Sequence, residues 1–326
     1  MVKKLVFILP IVLFCFSSYA RDWQRIYIPE AQCGDGSPYY VYIDYKNTKK
    51  MTIEFMGGGA CWDYESCYGK DTRTKLNPIK KWPLFSVISS GYKILSPVHD
   101  HSMIYFPYCT GDVHSGDHVA RYDGKAVNHK GFTNVQKAIS YIQSENFFDF
   151  YQLNELILTG ASAGAIGAVV HTQTLQNYVS SQTKLRLIAD SPGLHFGKTF
   201  WHKFSSSLLR DFERSFMGIG LSIDRNDGLV AKQLPQVCRA LRQWRVGIMQ
   251  STYDLVMSRS FGEISPWKHR KLVLGPEGVL AQTQYTDNCK AWVHDSIAHT
   301  FMLVPITSWF KSKGISAMRF FKNIMQ

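Results

Sequence analysis

Gly160-Ala161-Ser162-Ala163-Gly164, midway along the chain, form a G-x-S-x-G pattern. A serine flanked by small residues and glycines suits a nucleophile on a sharp turn, because glycine lets the backbone fold tightly and neighbouring segments approach. The pattern is short, so its flanks decide its meaning. Leu153–Thr159 ahead of it (LNELILT) reads as a strand and Ala165–Val179 after it as a helix. That is the strand–turn–helix setting of a nucleophile elbow. The amino end of such a helix also favours negative charge beside Ser162. The chemistry would be acyl transfer through the serine oxygen.

A serine hydroxyl needs a base, an acid to orient that base, and donors for the oxyanion. Gly57-Gly58-Gly59-Ala60-Cys61-Trp62 follows the strand-like Met51–Met56. Its place matches the glycine loop that supplies oxyanion amides in lipases and esterases. The N–H groups of Gly58, Gly59 and Ala163 are the candidates. No GK[ST] follows and the GxGxxG spacing is absent, which argues against a phosphate loop. Asp254 comes after Ser162 and before the last histidines, in the Ser…Asp…His order of this chemistry. Asp190, Asp287 and Asp295 are further acids. His299 precedes the apolar run TFMLVP and is the candidate base, with His294 as its competitor. Order alone does not separate the two histidines.

These residues need a scaffold. Tyr40–Tyr45, Met51–Met56, Ser102–Pro107, Leu153–Thr159, Lys184–Ala189 and Trp244–Met249 have strand length and composition. Gly131–Gln143 places Phe132, Val135, Ala138, Ile139 and Ile142 at helical spacing. Strands alternating with helices predict an α/β fold with a mostly parallel central sheet, covered by helices on both faces. Such sheets carry reactive residues just past the carboxyl ends of strands.

Lys3 and Lys4, the apolar run Leu5–Phe16 and the small residues of Ser18-Tyr19-Ala20 have the layout of a signal peptide, with cleavage expected after Ala20. The run is shorter than the ~20 apolar residues a membrane span needs. A secreted or periplasmic protein without stable membrane insertion is expected, with residues 21–326 as a single domain and a monomer. Cys33, Cys61, Cys67, Cys109, Cys238 and Cys289 then remain, an even number that implies disulfides in an exported chain. Cys61 and Cys67 are close enough for a local staple. No CxxC cluster occurs, and no metal or other cofactor is expected. The formal charge is +12, or +10 once Lys3 and Lys4 are removed. Basic residues are dispersed, with small clusters at Lys80-Lys81 and Lys268-His269-Arg270-Lys271, and no nucleic-acid-binding motif is present.

The chain resembles the pectin acetylesterase family of Notum-like serine carboxylesterases. The likeness rests on the glycine loop, on Pro107-Tyr108-Cys109-Thr110-Gly111-Asp112-Val113-His114-Ser115-Gly116, on the helix beginning at Gly131, on the elbow, and on Ala189-Asp190-Ser191 at a strand end. The resemblance implies an α/β-hydrolase-like fold, no cofactor, and a Ser162–Asp254–His299 triad with Gly58, Gly59 and Ala163 at the oxyanion hole. It also implies pairing of Cys61 with Cys67 and of Cys33 with Cys109, and an ester substrate such as an acetylated acidic polysaccharide. A lipid or protein-acyl ester is the alternative substrate, and an inactive binding homologue the rival class. The pattern departs from the family at Ala60, where many relatives carry tryptophan, at Pro192 in place of glycine, and at Ala165, where a second glycine is frequent. Those positions line or adjoin the expected pocket.

Overall fold

Six parallel strands and an antiparallel pair at one edge make the central sheet of the computed structural model, which describes residues 21–78 and 86–326. The export signal read at residues 1–20 and the Lys80-Lys81 pair lie outside the described residues. In chain order the strands are β1 (Gln24–Gln32), β2 (Pro38–Asp44), β3 (Lys50–Phe55), β4 (Ser102–Phe106), a separate hairpin of β5 (His118–Tyr122) and β6 (Lys125–His129), then β7 (Glu155–Ala161), β8 (Lys184–Asp190), β9 (Trp244–Ser251) and β10 (Cys289–His294). The sheet runs β1-β2-β4-β3-β7-β8-β9-β10, with every pair from β4 to β10 parallel. This is an α/β-hydrolase-like fold. The inner strands are buried over most of their length, as parallel strands covered on both faces must be, with Lys184 and Arg245 exposed near their starts.

Two apolar layers form. On one face the helices Gly131–Ser144 and Ala163–Val170 bury Val135, Ala138, Ile139, Ile142 and Ala168 against residues such as Ile53, Phe55, Leu156 and Leu158. On the other, the C-terminal helix Ala317–Met325 packs Phe320, Phe321 and Ile324 with Ile157, Ile188 and Met249. Alternate residues of β7 thus feed opposite layers. Three disulfides join Cys33 to Cys109, Cys61 to Cys67 and Cys238 to Cys289. The third ties the helix Leu234–Ala240 to the start of β10. Among the described residues no helix is long and apolar enough to cross a membrane.

Differences from the sequence expectations have local causes. The helix expected over 165–179 begins two residues earlier and leaves helical geometry at His171 (φ −92°, ψ 5°) before a second short helix, Thr172–Gln176. The buried His171 ring stacks on Phe55 and Phe132, and its Nε2 lies 3.0 Å from the His114 carbonyl oxygen. That environment, rather than helix propensity, sets the chain path. Burial pushes the His171 pKa down to about 3, so the ring packs as a neutral group. Strands β1 and β10 and the β5–β6 hairpin were not expected; β10 ends on His294, the competitor base.

Candidate active site

The elbow stands where β7 meets the helix Ala163–Val170. Ser162 has φ 59° and ψ −124°, a conformation that L-residues rarely adopt and that tends to persist at functional sites. Its N–H donates to the Asp190 carbonyl of the neighbouring strand at 2.8 Å, which fixes the turn to β8. A Cβ on Gly164 would overlap the Phe55 carbonyl oxygen. Only glycine there lets the helix cross directly over the end of β3.

The glycine loop leaves β3 opposite the elbow. Gly59 has φ +79°, and a Cβ on it would overlap the Arg73 carbonyl oxygen. Tyr108 braces the loop: its hydroxyl donates to the Gly59 carbonyl at 3.0 Å and accepts the Val113 N–H at 2.7 Å. Asp112, fully buried, accepts from Thr110 Oγ1, from the His114 N–H and from the Gly131 N–H. One carboxylate therefore locks the turn after Cys109 and the start of the Gly131–Ser144 helix. Burial raises its pKa despite those donors. Among the described residues none of the N–H groups of Gly58, Gly59 and Ala163 donates to a protein acceptor. They remain available to a ligand oxygen.

Past the carboxyl end of β9, the buried Asp254 accepts the Val256 and Met257 N–H groups on Oδ1, at 3.1 and 2.9 Å. Its Oδ2 lies 2.9 Å from His299 Nδ1. Nδ1–H donating to that carboxylate leaves Nε2 as the acceptor nitrogen. Nε2 is buried without a protein partner, and both His299 and Ser162 line one cavity of about 450 Å³. His294 does not reach Asp254. It closes β10 and stacks on Trp292, beside Phe310. Asp295 is exposed and bound to Thr252 and Arg270, and Asp287 is exposed.

Sequence reasoning missed the part played by Asp190 and Ser191. Asp190 Oδ2 accepts the N–H groups of Phe301 and Met302 at 2.7 and 2.8 Å, and Ser191 Oγ accepts the Thr300 N–H at 3.2 Å. Ser191 and Thr300 both have positive φ, 56° and 71°. Thus Asp190 holds Ser162 through its main chain and the His299 loop through its side chain. Burial pushes its pKa up to about 6, against the lowering effect of its amide donors. The signal was present as a strand-end acid, but its partner was not readable from spacing.

A second cavity, about 120 Å³, opens from Ser162 on the other side. Apart from the serine its walls are apolar or glycine: Ile166 and Val169 on the elbow helix, Met257 and Phe261 after β9, and Phe196, Phe200, Phe204, Phe212 and Phe216 from the segment between β8 and β9. Ala60 and Pro192, two of the departures from the family pattern, are also in the wall. Ser162, Gly59 and Phe261 border both cavities. An ester carbonyl at Ser162 would therefore have an apolar side and a polar side.

Comparison with known proteins agrees with this architecture. The palmitoleoyl-protein carboxylesterase NOTUM of Schmidtea mediterranea is 24% identical over 164 residues, 48% of this chain and 30% of its own length. Xenopus laevis notum2 is 28% identical over 160 residues, 46% and 31% of the two chains. Human NOTUM is 24% identical over 183 residues, 52% and 36%. These matches span about a third of the curated relatives' length. The pectinacetylesterase family matches residues 24–214, which include the glycine loop, the elbow and Asp190, whereas Asp254 and His299 lie beyond the matched span. With well over half of its length matched, this chain belongs to the pectinacetylesterase family of carboxylester hydrolases.

Proposed function

We propose that the protein is an exported, single-domain serine carboxylic ester hydrolase working through an acyl–Ser162 intermediate, with Asp254 and His299 completing a triad. The observation that carries this reading is the His299 Nδ1–Asp254 Oδ2 contact of 2.9 Å, with Nε2 unpartnered in the cavity that Ser162 lines. His299 Nε2 takes the Ser162 proton as Oγ attacks the carbonyl carbon. The oxyanion is held by the N–H groups of Gly58, Gly59 and Ala163. As the tetrahedral species collapses, the C–O bond to the alcohol breaks and the His299 proton leaves with it. A water, deprotonated by the same nitrogen, attacks the acyl-enzyme; the released acid leaves Ser162 with its proton restored. Asp254 keeps the imidazole in the useful tautomer and stabilises its cation.

The apolar chamber favours an acyl chain longer than acetyl. An apolar cavity of roughly 150 Å³ admits a benzene ring, and this chamber approaches that size at about 120 Å³. Each buried methylene contributes about 0.8 kcal/mol, close to fourfold in rate constant where the gain is kept in the transition state. Ala60 in place of the tryptophan of many relatives leaves room there. The relatives are named as palmitoleoyl-protein carboxylesterases, which is likewise acyl-chain chemistry. A polysaccharide or related polyol remains the proposed alcohol side.

The test is a series of p-nitrophenyl esters from acetate to octanoate with wild type and Ser162→Ala. The kcat/KM should climb from acetate to a medium chain and then fall, and Ser162→Ala should lose at least a thousandfold. Equal rates in the two proteins would sink the assignment of Ser162. A maximum at acetate would remove the case for the longer acyl chain.

A further inference from the structure

Buried polar side-chain atoms in folded proteins are nearly always hydrogen-bonded, so those that are not call for an explanation. Three such atoms belong to residues lining the one cavity of about 450 Å³ beside Ser162: His299 Nε2, Glu54 Oε2 and Arg73 Nη1. The proposed chemistry uses only the first. Glu54 stands in β3, in register with Tyr105 of β4 and Thr159 of β7, and is 5% exposed. A carboxyl at that depth is a poor core residue, and burial pushes its pKa up to about 7 against the lowering effects of the Ser86 hydroxyl and the Arg21 charge, while its Oε2 stays without a partner. It therefore keeps a proton up to near neutrality and can donate as well as accept. Arg73 approaches from the segment behind the glycine loop, its guanidinium 5.6 Å from the Trp62 ring centroid. Glu54 and Arg73 are not paired with each other among the described residues.

We infer that Glu54 and Arg73 form the subsite for the alcohol half of the ester, and that this half is polyhydroxylated, giving a hydroxyl to Glu54 and an oxygen to Arg73. This rests on the esterase reading of Ser162. The apolar chamber takes the acyl chain, so the leaving alcohol must enter from the other cavity bordering the serine. A plain alkyl alcohol there would leave both polar atoms without partners, each at a cost of ~1–3 kcal/mol. A glycosyl or glyceryl alcohol satisfies both, and the two sources share that chemistry.

Hexanoate esters of ethanol, glycerol and glucose, differing only in the alcohol, test the subsite. Wild type should turn over at least one polyol ester ten times better in kcat/KM than the ethyl ester; the better of glyceryl and glucosyl identifies the source. Glu54→Gln and Arg73→Met, checked for folding by thermal melting, should each reduce that ratio at least fivefold. Ethyl-ester turnover without a polyol preference, or a ratio that only one variant changes, overturns the subsite while leaving the esterase intact. Absence of Ser162-dependent turnover of every ester overturns both.

Discussion

Asp190 touches neither the proposed base nor the reacting atoms, yet it bears on both partners of the reaction. Its carbonyl accepts the Ser162 N–H and its carboxyl accepts those of Phe301 and Met302. Its raised pKa gives a pH signature whose sign is determined. The folded carboxyl holds its proton to about pH 6, whereas an unfolded aspartate releases it near 3.8. Between those values the native state binds more protons, so stability is fully present below pH ~4 and falls as pH rises to ~6, by roughly 3 kcal/mol from this group. Asp190→Asn removes the slope. Denaturant unfolding of both proteins at pH 4 and pH 6.5 should show wild type losing ground against the variant; parallel behaviour would contradict the assignment. Lower kcat/KM in the variant should accompany it, because the loop holding His299 loses a charged acceptor.

Among the elements, the elbow was the most legible from sequence, since its glycines and flanking apolar runs act within a dozen residues. Gly164 shows how strict that requirement is. The overlap of an added Cβ with the Phe55 carbonyl cannot be relieved by a rotamer, because the obstacle is backbone of the adjacent strand. Gly164→Ala should cost several kcal/mol and lower the melting temperature by ten degrees or more; a melting temperature within a degree or two of wild type would refute the close crossing. Other parts were not legible, for a physical reason. That Asp190 faces Ser162 depends on the β7–β8 register, in which Ala161 opposes Asp190, and no spacing along the chain encodes it. The aromatic chamber is similar: Phe196, Phe200, Phe204, Phe212 and Phe216 read as ordinary apolar residues until the segment folds back over the serine. His294 and His299 were equivalent by order, and only the path of β10 separates them, by putting His294 on a strand end stacked on Trp292.

Across the whole molecule, the Cys33–Cys109 bridge closes a 76-residue separation and joins the end of β1 to the turn braced by Asp112. In the chain-entropy view a loop of that length contributes about 4–5 kcal/mol by restricting the unfolded chain. The Cys33→Ser/Cys109→Ser double variant should lose stability of that order in equilibrium denaturation, while the six-residue Cys61–Cys67 link contributes less on the same scale. An equal loss from both would argue that native-state geometry, rather than loop length, dominates.

The apolar chamber draws twelve of its twenty-two lining residues from the stretch between β8 and β9, whereas Ser162, Asp254, His299 and the glycine loop stand on the sheet's own strand ends and turns. The wall proposed to hold the acyl chain is thus built from a different stretch of chain than the proposed catalytic residues. On the proposed reading, a change in the length or composition of that stretch would alter acyl preference while leaving the β7–β8 register beneath Ser162 in place.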